Sequence, residues 1–383
     1  IVPVHEFDID IQKVGSPIQS TMYGIFFEDI NFGADGGLYA ELIKNRSFEF
    51  ENPWGGWEPF GDVSIAEKNP CFNKNPHYAH LTYTGQITGT GLENEGFKGI
   101  GIKADENYDF SLYARTETNN PIKLRIELVN RDNDIYETQH LEIKGKDWKK
   151  YSVILSPKAT EAKSRLRITM ETAGTLDMEH ISLFPEKTFN NRTNGLRRDL
   201  AQALKDLKPG IFRFPGGCIV EGTTIAVENR PINISRWNYT FPHKKFPDYY
   251  QSYGLGFFEY FQLSEDIGAE PLPVLNCGLS CQFENEGMDQ HVPVDKLQPY
   301  IDDALDLIEF ANGPITSQWG KVRADMGHPA SFNLKFIAIG NEQWGPLYPE
   351  RLEPFVKAIR AKYPEIKIIG SSGPDSEGKD FEY

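Results

Sequence analysis

A glutamate directly after a strand-length apolar run is the first sign of chemistry in this chain. Leu334-Lys335-Phe336-Ile337-Ala338-Ile339 leads into Gly340-Asn341-Glu342-Gln343-Trp344. An apolar run of this length, rich in Ile and Phe, is what a buried parallel strand requires, and it puts the polar residues at the carboxyl end. A carboxylate is costly to bury, so Glu342 at that place needs a reason, and catalysis at the mouth of a barrel is one. A glutamate in an ordinary strand-to-helix loop gives the same local pattern. Three other apolar runs also finish in polar or glycine-rich residues: 22–27 before Glu28-Asp29, 211–214 before Pro215-Gly216-Gly217-Cys218, and 272–275 before Asn276-Cys277-Gly278. Parallel strands deliver such ends to one face, where ligands bind.

Other chemistries lack their signatures. There is no glycine-rich phosphate loop with a following Lys-Ser/Thr, no His-Glu-x-x-His pattern, and no serine in a nucleophile elbow. Cys71, Cys218, Cys277 and Cys281 are too few for a disulfide scaffold at this length and lack the paired spacing of a zinc site. At most one bridge is expected among them. Neither a cofactor nor a metal is expected.

The elements that must position these residues fall into three segments. Residues 1–56 hold a lone strand over 5–11, with Phe7, Ile9 and Ile11 alternating, then the first β-unit at 22–27 and a helical pattern through Leu38, Leu42 and Ile43. From 57 to 185 helical periodicity disappears. Short alternating strands recur at 78–83, 108–115, 122–128, 150–155 and 165–170, separated by turns such as Thr118-Asn119-Asn120-Pro121, which argues for an antiparallel β-sandwich. From 186 to 383 helix and strand alternate again. A helix is expected around 196–207 and another around 256–267. Asp295 is expected to cap a third, and Leu352, Phe355, Val356 and Ile359 mark a fourth. Strands at 22–27, 211–214, 272–276, 334–339 and 366–369 then make five parallel strands covered by helices. This α/β arrangement is an incomplete (β/α)8-type barrel interrupted by the sandwich, although an open doubly wound sheet also accepts five strands.

With 383 residues the chain exceeds one ordinary compact domain, and 39% hydrophobic residues supply sizeable cores. The net charge of −15, with no basic stripe, argues against nucleic acid and anionic membranes as partners. No apolar run is long enough to span a bilayer. The aromatic content of 13% suits stacking on sugar faces, though most rings are expected to fill cores.

Three motifs in this order make the sequence recognisable. Gly24-Ile25-Phe26-Phe27-Glu28-Asp29, continuing through Gly36-Gly37-Leu38-Tyr39-Ala40-Glu41-Leu42, then Arg213-Phe214-Pro215-Gly216-Gly217-Cys218, then Gly340-Asn341-Glu342, resemble glycoside hydrolase family 51. The likeness covers essentially the whole chain. It is strongest to α-L-arabinofuranosidases carrying an inserted carbohydrate-binding-module-like sandwich. The resemblance implies a retaining enzyme that releases terminal arabinofuranosyl residues from plant-derived arabinose-containing oligo- or polysaccharides such as arabinan or arabinoxylan. It implies that Glu342 is the general acid/base, that Asn341 binds the sugar 2-hydroxyl and that Glu28 binds other hydroxyls. Cys218 takes a position that is Asn in one branch of the family, where it contacts substrate; a thiol is a weaker hydrogen-bonding group there.

Glycoside cleavage requires two carboxylates, and in a retaining enzyme the second attacks the anomeric carbon. Family members carry it on a late barrel strand, so the nucleophile is expected beyond Tyr383, and Glu377 and Glu382 are read as solvated residues. The chain ending at Tyr383 is accordingly expected to be inactive alone. A related barrel glycosidase, β-xylosidase or endoglucanase, is an alternative, and a non-catalytic carbohydrate-binding protein on a truncated barrel is another. A secreted or periplasmic location is expected, with no signal peptide in the sequence, and a homo-oligomer is compatible with it.

Overall fold

The computed structural model describes residues 7–28, 32–87, 89–221, 252, 254–282 and 291–371, with the side chains of Cys218 and Ile219 excepted. After β1 (Gly24–Phe26) come the sandwich strands β2 (Trp57–Phe60), β3 (Asp62–Ala66), β4 (Tyr78–Tyr83), β5 (Gly91–Asn94), β6 (Ile100–Ile102), β7 (Tyr108–Arg115), β8 (Ile122–Val129), β9 (Ile135–Ile143), β10 (Lys149–Leu155), β11 (Glu161–Met170) and β12 (Gly174–Pro185). Alternation of helix and strand then follows: α1 (Arg198–Asp206), β13 (Ile211–Phe214), α2 (Cys218–Glu221), α3 (Phe257–Ile267), β14 (Glu270–Leu275), α4 (Gln298–Asn312), α5 (Gln318–Asp325), β15 (Phe336–Ile339), α6 (Leu347–Lys362) and β16 (Lys367–Ile369).

β1, β13, β14, β15 and β16 pair in that order as one parallel sheet. Ile25 stands opposite Phe212, Phe212 opposite Pro271, Leu275 opposite Ile339 and Ile337 opposite Ile368. Each strand lies beside its neighbour in the series, with no reversal of order. This sets all the carboxyl ends on one edge. The helices bury one face against the sheet: Phe214 stacks on Tyr260 with ring centroids 4.9 Å apart, and Phe261, Phe310 and Phe355 are completely enclosed. Gly268, at φ +76, ends α3 in the left-handed conformation that favours glycine.

The sandwich consists of the sheets β10-β7-β12-β4-β3 and β2-β5-β11-β8-β9, with β6 paired to β11. Strict alternation decides its faces: in β7, Tyr108, Phe110, Leu112 and Ala114 point into the core and the residues between them do not. This core also takes in Ile43 and Phe48, which precede β2.

Three expectations are corrected. Among the described residues, 7–11 form no strand; Phe7, Ile9 and Ile11 are exposed, with no ladder to fix them. Leu38, Leu42 and Ile43 belong to no helix. Leu38 sits in the core of the parallel sheet and Ile43 in that of the sandwich, so the spacing records a chain passing between two cores rather than one helical face. Asp295 is not the cap of α4: it lies in a 3-10 turn, Val294–Lys296, and α4 starts at Gln298 with a proline in its first turn and no side-chain cap. The helix expected through Leu352, Phe355, Val356 and Ile359 is present as α6, which begins at Leu347 and accommodates Pro354.

Candidate active site

β15 ends at Ile339, and the next residues turn sharply. Gly340 has φ +87 and Glu342 φ +53. A Cβ on Gly340 would lie 2.7 Å from Gln343 Oε1, so the turn requires glycine there twice over. Glutamate in the left-handed region costs on the order of 1 kcal/mol or more, and such strain persists only where neighbours enforce it. The neighbours are visible. The Asn341 amide donates to Gln343 Oε1 (2.5 Å), the Gly340 amide to the Leu275 carbonyl (2.7 Å), and the Ser371 hydroxyl to the Gln343 carbonyl (3.1 Å). Trp344 and Gln282 exchange two hydrogen bonds: the Trp344 amide donates to Gln282 Oε1 (3.0 Å), and Gln282 Nε2 donates to the Trp344 carbonyl (3.1 Å). Asn341 and Gln343 are thereby buried at 2% and 1% exposure while Glu342, between them, points to solvent. Burial of a charge, the cost that singled out Glu342 in the sequence, therefore does not arise.

Arg213 and Glu221 hold Asn341 from either side. Arg213 Nη2 donates to Asn341 Oδ1 (2.5 Å), and Asn341 Nδ2 donates to Glu221 Oε2 (3.4 Å). Gln343 Nε2 donates to Glu221 Oε1. The Arg213 guanidinium lies over the Phe26 ring, 4.5 Å from its centroid. Its environment combines burial, which disfavours its charge, with the carboxylates of Glu28 and Glu342, which favour it. Glu28 lies two residues past β1 with its carboxylate against Gly217, where a Cβ would fall 2.9 Å from Glu28 Oε2. Cys218 opens α2; its side chain lies outside the described residues, as do Asp29, Glu377 and Glu382.

Glu221 is the buried carboxyl of the site, at 4% exposure. Burial pushes its pKa up to about 9; Cys281 beside it and Glu342 push the same way, against the hydrogen bond from Asn341. Cys277, next to Gln343, is pushed up to about 12, again by burial. The site thus pairs an exposed carboxylate with a neutral buried one, linked through the side chains of Asn341 and Gln343.

Glu28, Asn341 and Glu342 therefore come together around Arg213. The sequence reading did not single out Arg213, Glu221 or Gln343. Arg213 did carry a signal, as the charged residue inside the apolar run Ile211-Phe212-Arg213-Phe214. Glu221 carried a weaker one, an acid directly behind Ile219-Val220.

Residues 203–381 match the family described as Alpha-L-arabinofuranosidase 1 domain, and residues 40–175 match a carbohydrate binding domain. The extracellular exo-alpha-L-arabinofuranosidase of Streptomyces chartreusis is 37% identical over 99% of this chain, and alpha-L-arabinofuranosidase 1 of Arabidopsis thaliana 35% identical over 96%. The arabinose-bound structure of the MgGH51 α-L-arabinofuranosidase superposes over 92% of the chain with a TM-score of 0.81 and 32% identity. The chain belongs to the family 51 α-L-arabinofuranosidases. It spans about half the length of these relatives: 47% of the Streptomyces protein, 56% of the Arabidopsis protein and 58% of the MgGH51 chain. In this family 51 chain, β13 to β16 fall within the arabinofuranosidase match, whereas Glu28 precedes both matched regions. The carbohydrate-binding match begins at residue 40, upstream of β2. Among the described residues no helix is long and apolar enough to cross a membrane.

Proposed function

We propose that the complete protein is a retaining, exo-acting α-L-arabinofuranosidase, secreted to work on arabinose side chains of plant polysaccharides such as arabinan or arabinoxylan. The observation that carries this reading is the enforced left-handed turn at Glu342, which presents a carboxylate at the shared edge of five parallel strand ends in a family 51 chain. Glu342 acts as general acid in the first step and general base in the second. Asn341 spends one N–H on Glu221 and one lone pair on Arg213, which leaves one of each for a sugar hydroxyl. Glu28 binds further hydroxyls, and Cys218 lies at the same rim. We place the attacking carboxylate outside the described residues. The five parallel strands form part of an eight-stranded barrel. The segment 57–185, inserted between 1–56 and 186–383, serves as a carbohydrate-binding module.

Replacing Glu342 with Ala in the complete protein tests the assignment. Turnover of a substrate with a poor leaving group should fall about 10²–10⁴-fold, while an activated aryl arabinofuranoside, which needs no proton, should lose far less. Azide should restore part of the activated-substrate turnover by attacking the glycosyl-enzyme. Equal losses on both substrates, without azide rescue, would remove Glu342 from the role.

A further inference from the structure

We propose that Glu221 is a positioning residue for the acid/base, holding the side chains on both sides of Glu342 at once. The inference rests on the reading of Glu342 as acid/base and extends it to a residue outside the sugar-contacting set. Asn341 and Gln343 are the neighbours of Glu342 in the chain, and both turn their amide groups inward onto the one Glu221 carboxyl. With those two groups fixed, Glu342 has one direction left, outward. Without them, the left-handed backbone at Glu342 has less to oppose its relaxation to an ordinary conformation.

The anchor is itself anchored. Asn276 Nδ2 donates to the carbonyls of Val220 (2.8 Å) and Glu221 (2.9 Å), and Asn276 Oδ1 accepts from the Gly278 amide (2.6 Å). The ends of β13, β14 and β15 are therefore tied into one unit, and Glu221 is the member that reaches both Asn341 and Gln343. A neutral carboxyl suits the place, because its carbonyl oxygen accepts from Gln343 without a charge being desolvated. Arg213 serves Asn341 from the opposite side and leaves Gln343 untouched, so it cannot replace Glu221.

The test uses the complete protein, paired substrates and the variants E221A, E221D and E221Q beside E342A. A displacement of about 1 Å at a catalytic group can cost roughly 10²-fold. E221A is therefore expected to lose about 10²-fold in kcat on a substrate with a poor leaving group, less than about 10-fold on an activated aryl arabinofuranoside, and little in KM. E221Q offers one amide acceptor in place of two oxygens: it can still take the Gln343 hydrogen bond but turns an NH2 on the Asn341 amide, so it should recover only part of that loss. E221D keeps the carboxyl but withdraws it from both amides, so it should show the same split; it decides the matter if E221A does not fold. Equal losses on the two substrates, no loss, or an E221Q no better than E221A would each overturn the proposal. If E342A itself shows no leaving-group split, the acid/base reading fails first, and that outcome is recognisable from E342A alone.

Discussion

Glu221 holds its proton in the folded protein up to about pH 9, whereas an unfolded chain releases it near the ordinary value of 4.5. Between those values folding takes up a proton, so this residue makes stability fall as pH rises, by about 1.4 kcal/mol per pH unit at most. Below that window the effect is absent. E221Q removes the titration and keeps the shape. Its melting temperature should therefore gain on that of the parent as pH is raised from about 5 to about 9. Glu41 and Glu179, also pushed up by burial, are common to both proteins and cancel in the difference. A melting difference that does not change with pH would mean that native Glu221 is ionised. At this scale the sequence exposed what is local: a glutamate behind a strand, with its neighbouring asparagine. It hid Glu221 because the partners of that carboxyl are more than a hundred residues away, and no spacing rule links a residue after β13 to one after β15.

Elements were legible where one periodicity ruled. β4, β7 and β13 stand where alternation or a short apolar run put them, as does α3. β9, with Thr138 and His140 among charged residues, offers no clean alternation, and α5 is short and polar; neither was foreseen. One side chain ties α5 to the segments on both sides of it. Arg323, 1% exposed, donates to the carbonyls of Phe310, Gly313, His328 and Pro329, closing α4, α5 and the loop before β15 around one guanidinium. Arg323→Met fills much of the volume but leaves four carbonyls without their donor. The variant of the complete protein should lose about 3 kcal/mol, seen as a melting temperature lower by several degrees. A shift within about 1 °C would show that water replaces the guanidinium at little cost. Leu38 to Ile43 failed for a different reason: the residues pass from one core into another, and a pattern read against one core looks helical.

On the scale of the molecule, the sandwich is fastened to its entry strap. Phe48 packs on Trp57 with centroids 5.3 Å apart, Trp57 Nε1 donates to the Asn45 carbonyl (2.8 Å), and the Asn94 side chain bonds both the amide and the carbonyl of Lys44 (3.2 and 2.9 Å). An excised segment 40–185 should therefore melt cooperatively with a β-type circular dichroism spectrum. A segment 57–185, lacking Ile43 and Phe48, should lose about 3–5 kcal/mol or fail to fold. Equal stability of the two would show that the strap is only draped on the sandwich. The strap also meets the exit, where the Leu42 amide donates to the Leu183 carbonyl (2.9 Å) and Glu41 accepts from the Ile43 and Leu183 amides (3.0 and 2.9 Å).

That meeting point has a consequence during synthesis. β1 leaves the ribosome long before its only partner strand among the described residues, β13, and the whole sandwich is made in between. A flexible loop of that length would oppose the pairing, although the entropy of closure grows only slowly with length. A sandwich that folds as it emerges draws Leu42 and Leu183 together, and the nascent chain then has only short stretches left to close on either side. The insertion thus shortens the search of the sheet it interrupts. A slowly translated or unstable sandwich would delay not its own folding alone but the arrival of Glu28 beside Arg213.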